Sequence, residues 1–506
     1  MRRVLAFVSV VSALALLPAG SASGAPDRFT FFGSGYGHGL GMSQWGSYGL
    51  ALDGWKHPEI LTHFYTGTRL RQARDVPATL RIGLVQGRDK VRLEAIVGPV
   101  DLRLGGRKVG DTVATIPAGE TWTVRVQAGR YRISDASGAQ VGDPVGDAST
   151  DLFAVFEPRG ARVRVPEAGH TYARGWIELN LYDCANGCAM HLILVIDPER
   201  YLYGLAEVPS SWPMEALEAQ AIAARTYALR KAASGQHRPG CDCALYASSY
   251  DQVYAGWDKE SGLDGGRWVR AVDRTAGTTV TFQGELIQAF YMSSSGGFTE
   301  DNENVWGGAP IAYLRGVCDP GDYTAANPSA TWEVTLTAPE VTEALDLGIG
   351  TVTGFTAIDR GVSGRIVQLT VRGESGTATI SGGTLRSALG LRDDRVWINR
   401  NRLVVGPIRD KYDAMNCAPG LALSRQVAVA GGLRQVFEDA TIFHSAATGA
   451  RALDGPVLEA YLANGGPGGS LGFPTSDVRQ LPNGNLRASF ERGVITCRPN
   501  GTCSVS

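Results

Sequence analysis

Four short stretches of this 506-residue chain carry side chains able to do chemistry. In YGLAEVPSSWPMEALEAQ, Glu207 falls where a short helix is expected to end and a proline-bounded loop begins; loops on rigid supports often seat catalytic groups. Val208, Pro209 and Trp212 can screen its carboxyl from water, and desolvation raises a carboxyl pKa as a general acid at neutral pH requires. A surface glutamate at a helix end is the competing reading. Glu215 and Glu218 read as carboxylates favoured at the start of the next helix. In GSGYGHGLGMSQWG, glycine occupies positions 33, 35, 37, 39 and 41 around a single imidazole, His38. The spacing fails the G-x-G-x-x-G dinucleotide pattern, because Leu40 or His38 stands where its last glycine belongs. Period two predicts instead an extended strand with Tyr36, His38, Leu40 and Met42 on one face and a bare glycine face on the other. His38 is then either part of a floor beneath a flat polymer or a packed structural histidine.

The third stretch, YMSSSGGFTEDNENVW, is a turn whose Ser294, Ser295, Gly296 and Thr299 offer hydroxyls and open N–H groups to a sugar or an oxyanion. An ordinary polar turn is the alternative, and Ser295 lacks the G-x-S-x-G context of a hydrolase elbow. The fourth, HRPGCDC, places His237, Cys241 and Cys243 together. They have the donor chemistry of a zinc site, but no C-x₂-C knuckle or second ligand pair accompanies them. A Cys241–Cys243 disulfide is the preferred reading and zinc the alternative. The chain has no H-E-x-x-H zinc-peptidase motif.

The surrounding elements set where these groups can stand. Met1-Arg2-Arg3 followed by an apolar run to Leu17, Pro18 and small residues to Ala25 reads as a signal peptide over 1–25. The run is short for a bilayer span of about 20 residues. Eight cysteines suit the oxidising compartment that export implies; their spacing suggests Cys184 with Cys188, Cys497 with Cys503, and Cys318 with Cys417. A net charge of −2 leaves no basic excess to meet nucleic acid. Ser43 is placed to cap a helix to about Leu52 with Gly54 as its stop, and Pro58 opens a second helix ended by Gly67. Residues 75–175 alternate apolar and polar side chains between turns and predict a small barrel or sandwich. Alanines and Pro213 predict a strong helix after Glu207. A linker is expected at 409–425, then a tail at 426–506 with a helix, the turn LGFPTSD and a strand ASFERGVI.

Together, GYGHGLGMSQWGSYGLA, EVPSSWPMEALEAQAIAARTYAL, DQVYAG, YMSSSGGFTEDNENVW and SALGLRDDRVW resemble the SpoIID/LytB family of bacterial sporulation and amidase-enhancer proteins, and the tail resembles LGFP repeats. The resemblance implies an α+β fold. A SpoIID-like domain would be built from 26–72 and 176–408, with an inserted β-rich domain at 75–175 and a small LGFP-repeat tail. In sporulation members the G-H-G-x-G-M-S-Q block follows the LRSALGL-like segment, whereas here it comes first. This order reads as a circular permutation that docks 28–70 beside 380–400. The resemblance further implies a secreted, wall-associated lytic transglycosylase acting on peptidoglycan glycan strands. Glu207 would be the single acid and base; His38, Ser43, Gln44, Ser294, Ser295, Gly296 and Thr299 would line the groove. Gln220, Arg225 and Tyr227 would brace the site, with packing roles as their alternative. Certain relatives bind zinc near the Q-V-Y motif, but Asp251 stands here where some of them have cysteine; the reading requires no cofactor. The LGFP region would hold an envelope component. The alternative function is a non-catalytic wall-binding protein that enhances a cell-wall amidase.

Overall fold

A computed structural model describes residues 26–105, 109–182, 184, 188–235, 238 and 241–506. The expected signal peptide and His237 lie outside the described residues. Among these residues no helix is long and apolar enough to cross a membrane. The fold combines helices with many strands, as an α+β class requires.

The N-terminal strand Arg28–Gly33 is the centre of a three-stranded antiparallel sheet, between Trp332–Thr337 and Val396–Ile398. The beginning of the chain thus docks against the segment near 396, the placement expected from the motif order. Phe29 and Phe31 point to one face and are buried there against Phe355. Ser43 then caps α1 (Gln44–Leu52), its Oγ accepting the Gly46 N–H at 3.0 Å. Pro58 lies in the first turn of α2 (His57–Phe64).

Between strand and cap the expectation of an extended ribbon is overturned. The strand stops at Gly33, and Gly35, Gly37, Gly39 and Gly41 take φ of +91°, +145°, +85° and +69°. Side-chain-bearing residues rarely adopt such angles. Every second residue therefore reverses the backbone, and the segment folds inward instead of pleating. The glycines also permit close approach: a Cβ at Gly41 would sit 2.1 Å from the Phe290 carbonyl oxygen, and one at Gly39 2.6 Å from Arg365 Nε.

The β-rich region forms two sheets. One runs Leu245–Tyr246, Leu80–Arg88, Ala189–Ile196, Trp176–Tyr182, Asp151–Val155, Val100–Gly105, Asp111–Ile116; the other runs His170–Tyr172, Arg162–Val165, Lys90–Val97, Thr121–Gln127, Arg130–Ser134. The first sheet crosses the expected boundary at 175, since Asp151–Val155 pairs with Trp176–Tyr182 and Leu80–Arg88 with Ala189–Ile196. Met190 to Ile196 is buried at every position, so the strand needs cover on both faces. Ile193 and Val195 find theirs against Cys241 and Cys243.

Two helices bracket the Glu207 loop, α3 (Pro198–Tyr203) and the 20-residue α4 (Met214–Ala233). The alanines of α4 keep that helix thin where it packs among its neighbours, which include α6 (Gly265–Arg274) and the strand Thr278–Phe282, while α5 (Trp257–Ser261) packs on α6. Further along are α7 (Asn302–Trp306), α8 (Ala338–Leu345) and α9 (Gly382–Ala388). The expected linker is a docked element: α10 (Gly406–Ala414) buries Ile408 and Tyr412, and Cys417 is disulfide-bonded to Cys318. The tail holds two four-stranded sheets and α11 (Gly455–Ala463) around Phe443, Tyr461, Phe473 and Phe490. ASFERGVI is a hairpin and not one strand, because the exposed Glu491 and polar Arg492 turn the chain between buried Phe490 and Ile495. The other disulfides join Cys184 to Cys188, Cys241 to Cys243 and Cys497 to Cys503.

Gly41→Ala must clash with a backbone carbonyl as well as strain φ, and should cost about 2 kcal/mol or more of unfolding free energy. Gly54→Ala also meets a positive φ, +92°, but has no atom within 4 Å, and should cost about 1 kcal/mol. Urea unfolding of both variants checks this; equal losses would remove the steric argument.

Candidate active site

Glu207 is half-buried in the loop between α3 and α4. Asp197 caps α3 by accepting the N–H groups of Glu199 and Arg200. The chain then runs past the Q-V-Y segment: Leu205 bridges Tyr254, and the Ala206 N–H donates to the Val253 carbonyl at 2.9 Å. That pairing delivers the Val253 N–H to Glu207 Oε1 at 2.6 Å. On the other oxygen, the Gln44 side-chain amide approaches Oε2 at 3.5 Å. The Tyr291 hydroxyl also bonds the carboxylate, and the Lys259 ammonium acts on it through space. Burial raises the carboxyl pKa, and these four groups oppose the rise without cancelling it. Val208 and Trp212, both buried, supply the screening expected of them.

A second layer orients the first. Gln252 has no exposed surface; its Nε2 donates to the Tyr291 hydroxyl at 2.9 Å and the Ala224 carbonyl at 3.2 Å, while its Oε1 accepts from Tyr201 at 3.0 Å. Tyr201 stacks on Tyr254 with ring centroids 5.0 Å apart. Asp251 accepts from the Tyr227 hydroxyl at 2.8 Å and from the Arg238 guanidinium. Lys259 donates to the Val208 carbonyl at 2.6 Å, and burial lowers its pKa to about 8. Gln252, Val253, Lys259 and Tyr291 were not singled out as site residues from the sequence. Three of them stand in motifs quoted there, which marked them without showing that they converge on Glu207.

The expected binding residues divide sharply. Gln44 meets Glu207. The Tyr227 ring lies 6.4 Å from Tyr291 and 6.1 Å from Phe290. Gln220 is buried on α4 with neither amide atom hydrogen-bonded among the described residues. Arg225 is a packing residue: it holds Glu199 through two bonds of 2.7 Å and reaches the carbonyls of Val272 and Thr278.

Ser43, Ser294, Ser295, Gly296 and Thr299 are not substrate-facing, because all are buried and committed to other protein groups. Asp322 accepts from Ser43 Oγ, Ser294 Oγ and the N–H groups of Ser295 and Gly296 at 2.8–3.0 Å. Asp319 takes the Ser295 hydroxyl at 2.6 Å, and Thr299 Oγ1 accepts the Val317 N–H at 2.8 Å. Buried carboxylates need these donors, so the serines serve the interior. Desolvation pushes both aspartates up, and for Asp319 the neighbouring Asp322 charge adds to the rise.

His38 lines a cavity that Glu207 does not line, and Tyr291 meets both residues. The Tyr291 backbone meets the imidazole, and its phenol meets the glutamate. Burial, with Arg365 and Arg386 adding to it, lowers the His38 pKa to about 4, so the ring is neutral at neutral pH. Cys241 and Cys243 are tied together and present no thiolate to zinc. His57, Glu215 and Glu218 bring ligand atoms together, but Lys56 and Arg274 already pair with those carboxylates at 3.2 and 3.3 Å. Beside Gln44 and downstream of Glu207, Trp45, Tyr48 and Trp212 form an aromatic trio with centroids 4.8–5.2 Å apart.

Tyr291→Phe removes a donor that favours the carboxylate, so the Glu207 pKa should rise further, as read by titration of its labelled carboxyl carbon; a fall would contradict the geometry. Asp319 is protonated in the folded chain over a range where the unfolded chain ionises it. Folding there binds a proton, and stability is lost as pH rises through the raised folded pKa. Asp319→Asn should flatten that decline in unfolding free energy; an unchanged slope would locate the proton elsewhere.

Residues 187–282 match the family described as Stage II sporulation protein (SpoIID), and residues 419–469 match the LGFP repeat. The chain is similar to the amidase enhancer of Bacillus subtilis (strain 168), at 37% identity over 142 residues covering 28% of this chain and 17% of that protein. It is similar to stage II sporulation protein D of Bacillus amyloliquefaciens, at 30% over 217 residues covering 40% and 60%. The corresponding protein of Bacillus subtilis (strain 168) is 30% identical over 220 residues covering 42% and 60%. The chain thus spans less than two thirds of the length of these relatives. With the Glu207 loop and the Q-V-Y segment inside the first match and α10 leading into the second, the chain carries a SpoIID domain followed by an LGFP repeat.

Proposed function

We propose that the protein is a secreted, wall-associated lytic transglycosylase that cleaves peptidoglycan glycan strands, with Glu207 as sole general acid and base. The observation that carries this reading is the shell around Glu207. Its partners are an N–H, an amide, a phenol and an ammonium, with no second carboxylate among the described residues in that shell. Hydrolysing glycosidases use two carboxyl groups, one of which handles water or the covalent intermediate. A transglycosylase needs one. Protonated Glu207 gives its proton to the glycosidic oxygen as the C1–O bond breaks. The resulting carboxylate takes the proton of the sugar's own 6-hydroxyl while O6 bonds to C1, which closes a 1,6-anhydro ring and restores the acid. The raised carboxyl pKa suits the first step, and the half-buried rings of Trp45 and Tyr48, backed by buried Trp212, are suited to meet sugar faces. The similarity to sporulation protein D and the LGFP repeat support a place at the wall.

A second reading rests on the relative named an amidase enhancer: a chain that binds the wall and stimulates an amidase without cutting glycan. Digestion of peptide-free glycan separates the two. Wild type should release fragments lighter by one water than hydrolysis products, and Glu207→Gln should be slower by about 100-fold or more. Equal release by both would remove Glu207 from the chemistry. Wall binding with amidase stimulation and no fragments would establish the second reading.

A further inference from the structure

The alternation within the β-rich region decides which of its charges meet water. In the five-stranded sheet, Val91, Leu93, Val124 and Ile133 turn to the core, so Lys90, Arg92, Arg125, Arg130 and Arg132 point to the opposite face. Register then sets three of these cations in one row: Lys90 stands opposite Arg125, and Arg125 opposite Arg132, across three adjacent antiparallel strands. Strand spacing puts neighbours in such a row about 5 Å apart. Lys90 and Arg125 are exposed, and Arg132 is half-buried. None of the three forms an ion pair among the described residues. Arg132 Nη1 donates to the Gln127 amide oxygen at 3.4 Å, and its Nε has no hydrogen-bond partner among the described residues. Two carboxylates near the row are engaged with other arginines: Glu167 holds Arg92 at 2.9 Å, and Glu94 lies 3.9 Å from Arg164. Like charges directly opposite each other destabilise a sheet. Charge on an edge strand can prevent pairing with another chain, which accounts for Arg130 and Arg132, since Arg130–Ser134 is an edge of this sheet. It does not account for Lys90 and Arg125, which stand on interior strands.

We propose that this face binds a phosphodiester polymer laid across the strands, with Lys90, Arg125 and Arg132 each on a phosphate. A row of evenly spaced cations is complementary to a chain that repeats one negative charge per unit, and the long side chains adjust their reach to it. Guanidinium groups fork onto two phosphate oxygens. Thr123 and Ser134, opposite each other in the adjoining row, bring hydroxyl donors to the same side. With Gln127 they surround the cations by polar groups, which leaves the row no apolar side chain to insert into a bilayer; exposed Ile96 stands at the other end of its strand. A place at the wall makes the occupant a polyol phosphate of the envelope and not a nucleic acid. Only that location is taken from the preceding reading; the row is independent of the chemistry at Glu207.

Titration of the full chain with fluorescently labelled poly(glycerol phosphate) at low ionic strength tests this. Arg125→Gln should weaken binding by about fivefold, and the triple change Lys90→Gln, Arg125→Gln, Arg132→Gln by about fiftyfold or more. Affinity should fall as salt is added, and the logarithmic salt slope of the triple variant should be shallower by about 2, the loss expected for three phosphate contacts on a single chain. Because Arg125→Gln removes repulsion within the sheet, it should melt no lower than wild type at low salt; a lower melting temperature would overturn the row as an unpartnered one. Unchanged binding by the triple variant would overturn the site. Vesicles of anionic phospholipid bound as tightly as the polymer, with the same sensitivity to the three changes, would make a membrane the occupant and overturn the assignment. Tighter binding of a single-stranded oligonucleotide of equal phosphate count would overturn it in favour of nucleic acid. The titration reads the row whether or not Glu207 cleaves glycan. The triple variant should process peptide-free glycan as wild type does; if a wild-type release of fragments were lost together with polymer binding, the row would belong to the cleavage surface and the separate site would fall.

Discussion

Two carboxyl groups with no access to water, Asp319 and Asp322, hold together the segments that surround Glu207. A buried carboxylate is costly unless donors surround it. Asp322 collects its donors from two segments far apart in the chain, Ser43 at the start of α1 and the turn Ser294–Gly296 after Tyr291. That demand joins the two segments. The cap at Ser43 sets the first residue of α1, which is Gln44, and the serine turn fixes the end of the segment that carries Tyr291. Both of those side chains then meet Glu207. The surroundings of Glu207 are thus held by an interaction that does not touch Glu207 itself.

The glycine segment answers the same constraint. To reach Asp322, the chain after Gly33 must pass close to the Phe290 carbonyl and to Arg365, closer than any Cβ allows. Alternate left-handed residues shorten the path and turn it inward. The single imidazole within it is depleted of basicity and serves as one wall for Trp306. Tyr291 meets His38 through its backbone and Glu207 through its phenol, so one residue touches both.

Glu207 depends on a balance. Burial alone would drive its carboxyl to the neutral form, while the Val253 N–H, the Tyr291 phenol, Gln44 and Lys259 restore part of the stability of the anion. Under the proposed transglycosylase chemistry, a group that gives a proton and then takes one back needs such a balance, with neither form overly favoured. Gln252 maintains it indirectly: buried and fully bonded, it holds the Tyr291 hydroxyl in place from behind.

The local elements were legible in the sequence. The Ser43 cap, Pro58 in the first turn of α2, the alanine-rich helix after Glu207 and the screening of its carboxyl by Val208 and Trp212 all depend on neighbours a few residues away. Their chemistry is visible in a short window. The neighbouring cysteines were legible for the same reason, and the β-rich region showed its period. What lay beyond that window was decided by tertiary structure. Whether Ser294 and Ser295 face a sugar or an aspartate depended on Asp319 and Asp322, which no local pattern connects to them. Alternating glycines are compatible with a strand or with successive left-handed turns, and only the neighbours at Phe290 and Arg365 select the latter. The sequence by itself singled out Glu207 as a candidate and showed which helices flank it. The folded chain alone decided which donors meet Glu207 and which hydroxyls serve buried carboxyl groups, because those choices depend on partners far away in the chain.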